Sequence, residues 1–405
     1  MFKLKNEQSF TLVELLIVIG ILTILAVVVI LTLNPAQFFK EVRDSKRMSE
    51  FQTINKALGN YLADGNTSLG LTNKVYVSIP DSSLTCANLG LPSLPTNWEY
   101  RCSNSDNYRK VDSNGWIPVN FTSVSWGSPL PILPIDPINT AANGNYYTYV
   151  TGSSYELNTI LESARYRFDS KIHKKNLPGV LAVGNNLSLS PIFNNSGMVG
   201  YWKFDEGSGT TASDSSGYGN TGTLSTGTST PGWTTGKVSG ALSFDGVDDY
   251  VQMPLVTPVT TNVTLSAWVY LSSNSLKGAF IHNGKTPGGG DGYSLGVGST
   301  DYDSNGNNLI GLLDNVTWMN FNIPIGTGWH FVVMTRDTST WRGYVDGVVS
   351  TTTFTSSPIT PTSGTYIARD CDNTPRLFNG LIDEVRIYNR ALSSAEISAI
   401  YNATK

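Results

Sequence analysis

Residues 10–33 read FTLVELLIVIGILTILAVVVILTL, and positions 15–33 are nineteen consecutive residues without a charge. As a helix rising about 1.5 Å per residue, such a run nearly crosses a roughly 30 Å hydrocarbon layer. Lys3 and Lys5 precede it, which puts the N-terminal side in the cytoplasm. A basic start before an apolar stretch is also the signature of a secretory signal peptide. Three features argue against that reading. The run is longer than a signal core, Thr32-Leu33-Asn34-Pro35 is a poor small-residue cleavage site, and Glu14 interrupts the apolar segment four residues after Phe10. A carboxylate there costs on the order of several kcal/mol in lipid unless it is paired or near the interface, so a sequence that keeps it has a use for it.

The helical pattern continues past this segment. Phe51, Ile54, Leu58 and Tyr61 recur at helical spacing. Lys40, Glu41, Arg43, Asp44, Lys46, Arg47 and Glu50 read as solvated faces or as contacts to neighbouring chains. A helix over residues 10–62 would span roughly 80 Å. Asn34-Pro35 predicts a break, since proline lacks an N–H and crowds the preceding turn, or simply marks the membrane exit. Asp64-Gly65-Asn66 ends the helix.

The remainder has another character. Of 405 residues only 14% are charged, against about 25% in ordinary soluble domains, while 40% are hydrophobic. With 39 Gly and 19 Pro, the chain favours short strands and many turns over charged helices. A net charge of −4 argues against a nucleic-acid partner, which needs clustered Lys and Arg. Three His and three Cys are too few for a dense metal or disulfide scaffold.

FTLVELLIVIGIL (10–22) resembles the N-terminus of type IV pilins and type II secretion pseudopilins. The resemblance implies cleavage by a prepilin peptidase between Ser9 and Phe10 and N-methylation of Phe10. It also implies a role for Glu14 as the carboxylate that meets the Phe10 amine of a neighbouring subunit. Ser9 stands where that family usually has Gly.

In the middle of the chain Cys86 and Cys102 lie sixteen positions apart. They read either as a disulfide worth about 3 kcal/mol in the chain-entropy model or as two buried thiols. LPILPIDPINTAANGNYYTYVTGSSYELNTILES (130–163) resembles the end of pseudopilin heads, where a Pro-rich loop precedes a Tyr-rich hairpin. Asn143-Gly144 is an independent hairpin signal. Asp136 is either a cation ligand of that loop, as the resemblance implies, or a turn-initiating Asp-Pro. Residues 171–175 (KIHKK) are a solvated basic cluster.

From Met198 onward the pattern is all-β. VTLSAWVYL (263–271) alternates with a period of two, and Asp346-Gly347 reads as a two-residue hairpin turn. LSSAEISAIYNA (392–403) is a short helix capped by Ser393 or Ser394, with Glu396 in its first turn. GMVGYWKFDEGSGTTASDSSGYGNTGTL (197–224), GKVSGALSFDGVDDYVQM (236–253) and FNGLIDEVRIYNRALSSAEI (378–397) resemble the laminin-G-like, concanavalin A-type jelly roll. The resemblance implies a structural Ca²⁺ held by Asp205, Asp214, Asn220 and Asp383, and hard oxygens of this kind suit that ion. Separately, Asp301, Asp303 and Asn305 before Gly306 match the first half of a Ca²⁺ loop, but the twelfth position is Leu312 and a polar surface loop is the better reading.

Catalysis finds no support. His173, His282 and His330 accompany no nucleophile motif. The pairs Asp205-Glu206, Asp248-Asp249 and Asp383-Glu384 are adjacent, and strand neighbours point to opposite faces, so none can flank a glycosidic bond. Trp318, Trp341 and Tyr302 are candidates for exposed stacking platforms, whereas Trp202 and Trp268 read as core.

The expected organisation is a leader (1–9), a membrane and filament helix (10–63), an α+β pilin-like head with a small antiparallel sheet (64–190), a linker (191–197) and an all-β jelly-roll sandwich (198–405). The expected function is a non-enzymatic pilin-like subunit that assembles with other pilin subunits through an inner-membrane platform and displays a lectin-like module toward a glycan or protein ligand. The rival readings are a pseudopilin of a secretion or DNA-uptake machine and a spacer without ligand.

Overall fold

A computed structural model describes residues 11–405 except 170–171, 173–176, 257–260, 285–291, 302–303, 314–316, 357–360, 363 and 371–375; the side chains of 26–33 are also outside the description. Ser9, Phe10, His173, Tyr302, Asp303 and Cys371 therefore lie outside the described residues.

Helix α1 (Leu12–Leu33) opens with a reciprocal cap: the Thr11 side chain accepts from the Glu14 N–H, and the Glu14 carboxylate accepts from the Thr11 N–H. Asn34 then takes a left-handed conformation (φ 38°), accepts from the Gln37 N–H, and starts α2 (Pro35–Ala63) with Pro35 in its first turn. Pro35 thus opens a new helix, the position where its missing N–H costs nothing.

Five strands form the first sheet: β1 (Lys74–Val77), β2 (Glu99–Arg101), β3 (Thr148–Thr151), β4 (Tyr155–Ile160) and β5 (Val180–Gly184), in the order β2-β1-β3-β4-β5. Only β1 and β2 run parallel. Strand alternation sorts its two faces. Tyr76, Tyr149, Tyr155, Leu157 and Leu181 pack with Phe51, Ile54, Leu58 and Tyr61 of α2. Val75, Val77, Val150, Ile160 and Val180 face the other way. Asn143-Gly144 is not the hairpin turn expected: it forms a single 3₁₀ turn ahead of β3, and the hairpin closes at Gly152, whose N–H bonds the Ser154 carbonyl. The left-handed Asn-Gly pair can serve either turn, so the dipeptide alone did not fix the location.

The second half is two packed sheets. One orders strands 348–355, 340–345, 328–337, 263–271, 379–388, 240–245 and 232–235, with 198–202 also paired to 379–388. The other orders 317–324, 308–313, 293–298, 278–283, 365–367, 251–253, 222–224 and 211–212. Val263, Leu265, Ala267, Val269 and Leu271 fill the core between them. Asp346 (φ 52°) and Gly347 (φ 80°) make the expected tight turn.

The last helix, α4 (Ser394–Thr404), capped by Ser393 and Glu396, is apolar on two sides, as a helix buried between layers must be. Ala395, Ala399 and Ala403 pack on the β1–β5 sheet together with Ile192 and Phe193. Ile397 and Ile400 pack on Tyr201, Trp268 and Phe331 of the jelly roll. Small residues let the chains approach closely: a Cβ on Gly179 would meet the Ala403 carbonyl oxygen at 2.2 Å. Arg167, in helix α3 (Ala164–Arg167) beside β4, donates to the carbonyls of Asn402, Ala403 and Lys405 and so closes the open end of α4. The layers run α2, first sheet, α4, then the two jelly-roll sheets. Residues 191–197, expected as a linker, contribute Ile192 and Phe193 to this packing.

Candidate functional site

At the N-terminal end, the Glu14 carboxylate receives the Thr11 N–H at 2.9 Å and the Thr11 hydroxyl at 2.8 Å, so within one chain it serves its own helix start. Leu12, Leu16 and Ile24 are 78%, 66% and 66% exposed, and Phe38, Phe39 and Val42 prolong the uncovered apolar surface into α2. An apolar surface of this extent marks a place that another body covers. Among the described residues no helix is long and apolar enough to cross a membrane, and the side chains of 26–33 do not enter that statement.

Farther along α2 the charged stretch departs from the solvated face expected. Asp44 and Arg47 are fully buried. The Arg47 guanidinium donates to both oxygens of Asp136 (2.7 and 2.9 Å), to Asp44 (2.8 Å) and to Glu162 (2.6 Å). Arg43 adds a bidentate pair to Glu162 at 2.7 and 2.9 Å. Burial raises the Glu162 carboxyl, but Arg43 and Arg47 overcome it and hold the group below its ordinary pKa. Asp136 is therefore the counter-ion of Arg47 and not a cation ligand: its Oδ1 also takes the Ile138 N–H at 2.8 Å. Cys86 and Cys102, in the loops beside β1 and β2, are joined in a disulfide with Cα atoms 5.3 Å apart.

The expected calcium ligands divide. Asp214 accepts from the Tyr201, Ser216 and Asn220 N–H groups and from the Ser216 hydroxyl, so its two oxygens organise its own loop. Asn220 donates to the Val199 carbonyl. Asp205 and Asp383 sit instead at the 236–240 turn, accepting from the Gly240 and Val238 N–H groups. The three carboxylates of Asp205, Asp214 and Asp383 do not gather within 4.8 Å; among the described residues Asp245, Asp248 and Asp249 do. No ion shared by the expected four fits this arrangement, although Asp383 Oδ1 is a buried oxygen with no hydrogen-bond partner. Asp301 accepts from Ser304 N–H within its own turn, and Asn305 is exposed.

The acidic pair Asp383-Glu384 breaks the strand-neighbour rule. Glu384 has φ 53° at a register shift in strand 379–388, and this bulge turns both side chains to the α4 side, where Asp383 lies opposite Trp268 and Glu384 binds Tyr201 and Arg386. Burial raises both carboxyls, Asp383 well above its ordinary value with Glu384 adding to it. Both are inaccessible to solvent, so the pair cannot flank a sugar bond.

The outward face of the second jelly-roll sheet carries aromatic and guanidinium planes. Arg369 lies 4.5 Å from the Tyr250 ring centre and 5.2 Å from that of Tyr366. Arg376 lies 5.2 Å from Trp318 and is paired to Asp370 at 2.9 Å. Sequence reading found Trp318 but missed the arginines, which come from a distant loop. Trp341, expected as exposed, is buried in the inter-sheet core with its N–H on the Ser356 hydroxyl. Trp202 and Trp268 are buried as expected. Planar faces of this kind suit stacking on a ring-shaped ligand.

The chain places an apolar helix with an acid-capped start ahead of a two-sheet jelly roll. Residues 4–30 match the family described as the prokaryotic N-terminal methylation motif, and residues 245–398 match the concanavalin A-like lectin/glucanases superfamily. The chain thus joins a type IV pilin-like N-terminus to a concanavalin A-like jelly roll. Among solved structures it is similar to domain 4 of AbnA, a GH43 extracellular arabinanase from Geobacillus stearothermophilus solved with arabinotriose: 19% identity, 50% of this chain, 98% of that one, TM-score 0.42. It is also similar to the binding domain of botulinum neurotoxin DC solved with rat synaptotagmin II, at 14% identity, 52% of each chain and TM-score 0.40. The chain spans about half of that toxin domain. No curated protein matches the chain.

Proposed function

We propose that the protein is a non-enzymatic, pilin-like subunit of a surface filament, with the α2 and β1–β5 unit as its head and the jelly roll as a ligand-binding module. The observation that carries this reading is the coincidence of the methylation motif at 4–30 with the acid-capped, uncovered apolar surface of α1. In this reading α1 inserts in the cytoplasmic membrane and a prepilin peptidase cuts between Ser9 and Phe10. An inner-membrane platform then packs α1 against those of other subunits, and Glu14 leaves its own Thr11 to neutralise a neighbour's Phe10 amine. The aromatic and guanidinium face of the second sheet, at Trp318 and Tyr366, is the surface on which a glycan or protein ligand rests.

Glu14→Ala tests the assembly step. Membrane-fraction levels stay at wild type while filaments disappear from sheared cell surfaces; normal filaments from the variant refute the reading. A glycan array on the full chain in detergent, with and without Ca²⁺, tests the binding module, and no binding in either condition removes the glycan ligand.

A further inference from the structure

Between the first sheet, α4 and the Asp346-Gly347 turn the layers do not close, leaving a cleft of about 290 Å³. That is near the lower end of the roughly 300–1,000 Å³ of small-molecule sites, which favour the boundary between two folded units. The apolar side chains that seal this seam, Ile160, Ile192 and Phe193 among them, form part of the cleft wall, and Asn143, Asn402, Lys405 and three tyrosines add polar groups to it. Tyr146 lines the cleft half-buried, and its hydroxyl makes no hydrogen bond with a described residue. The Tyr401 hydroxyl makes none either, and Tyr100, whose hydroxyl is on the Pro92 carbonyl, completes an aromatic wall. Hydroxyls that no neighbouring group uses are free to donate to a ligand oxygen.

The amides are oriented as well. Lys405 Nζ donates to the side-chain oxygens of Asn143 at 2.6 Å and Asn402 at 2.7 Å. Both carbonyls are thereby committed to the ammonium, and the Asn143 NH₂ is left as a donor with no described partner. Asp346 at the rim is spent on His330 Nδ1 and the Phe331 N–H, so the cleft presents no open carboxylate. Aromatic walls, hydroxyl and amide donors, the Lys405 ammonium held between two amides, and no open carboxylate among the described residues disfavour a metal ion or a cationic ligand. They suit a compact ring that carries several acceptor oxygens.

We propose that this seam is a saccharide site, taking a neutral mono- or disaccharide whose ring lies against Tyr100 and Tyr146 and whose oxygens accept from the Tyr146 and Tyr401 hydroxyls and the Asn143 amide. It is separate from the Trp318 face and independent of filament assembly. Because both folded units line it, an occupant also ties the jelly roll to the first sheet.

The test uses the full chain in a detergent without a sugar headgroup, with glucose, galactose, N-acetylglucosamine and lactose as probes in saturation-transfer NMR. At least one probe binds the Trp318→Ala chain, in which the outer stacking face is removed, and Tyr146→Phe on that background weakens its binding roughly tenfold, the loss of one well-placed hydrogen bond. Absence of transfer from all four at millimolar concentration overturns the proposal. So does binding that survives Tyr146→Phe intact, or binding abolished by Trp318→Ala, which would assign the sugar to the outer face. If Tyr146→Phe does not fold, hydrogen exchange on the wild-type chain decides: the bound probe slows exchange at 141–146 and 395–402, and unchanged rates there refute the site.

Discussion

Removing the Arg47 side chain is the sharpest perturbation of the architecture. Its guanidinium makes four charge-assisted hydrogen bonds to three carboxylates, and it is completely buried. In Arg47→Ala, Asp44 keeps the Glu162 and Ser163 N–H groups and Glu162 keeps Arg43. Asp136 Oδ2 loses its sole partner among the described residues. An uncompensated carboxylate in the interior costs about 3–5 kcal/mol, which is the expected loss. Urea unfolding of the full chain, read by tryptophan fluorescence, measures it. Asp136→Asn, alone and on the Arg47→Ala background, completes a double-mutant cycle and is expected to recover part of the loss, because the second change removes the stranded charge. The network also has a pH signature. Glu162 titrates below its unfolded value, so its contribution is complete above roughly pH 4.3 and disappears as the pH falls through the lower folded value. A loss under about 1 kcal/mol in Arg47→Ala, together with zero coupling in the cycle, would refute the reasoning.

Three further outcomes are expected. Arg167→Ala strips the three carbonyl bonds from the end of α4, at roughly 1.5–3 kcal/mol for hydrogen bonds to a charged group, and hydrogen exchange over 400–404 accelerates while that of β1–β5 does not. His330, held above its ordinary pKa by the hydrogen bond to Asp346, contributes stability that is complete below about pH 6.5 and is lost as the pH rises through the higher folded value; Asp346→Asn lowers the His330 titration midpoint in NMR, and an unmoved midpoint would contradict the pairing. Ser in place of both Cys86 and Cys102 lowers stability by about 3 kcal/mol in denaturant, and an unchanged midpoint would show that the cross-link leaves the unfolded chain unconstrained.

Much of the architecture was legible because it rests on short-range pattern. The period of two in 263–271 set which residues enter the inter-sheet core, Asp346-Gly347 placed its turn, and Ser393 with Glu396 placed the start of α4. The Asn143-Gly144 and Asp383-Glu384 readings failed for a common reason. A left-handed residue or a one-residue bulge changes direction locally, and the same letters permit either outcome. The stacking face of the jelly roll was half visible, since Trp318 stood out while Arg369 and Arg376 reach it only through the folded loop.

By itself, then, the sequence determined an uncharged segment that needs a cover other than water, an acid beside its start, and an alternating β pattern that must close into two layers. Tertiary structure decided the pairings between distant positions. Arg47 meets Asp136 across 89 residues and Glu162 across 115, turning a seemingly solvated helix face into an ionic core. It also decided that α4 lies between the jelly roll and the first sheet, so that the seam and its cleft exist at all. Local periodicity records which side of an element avoids water; which partner covers that side depends on the whole chain closing around it.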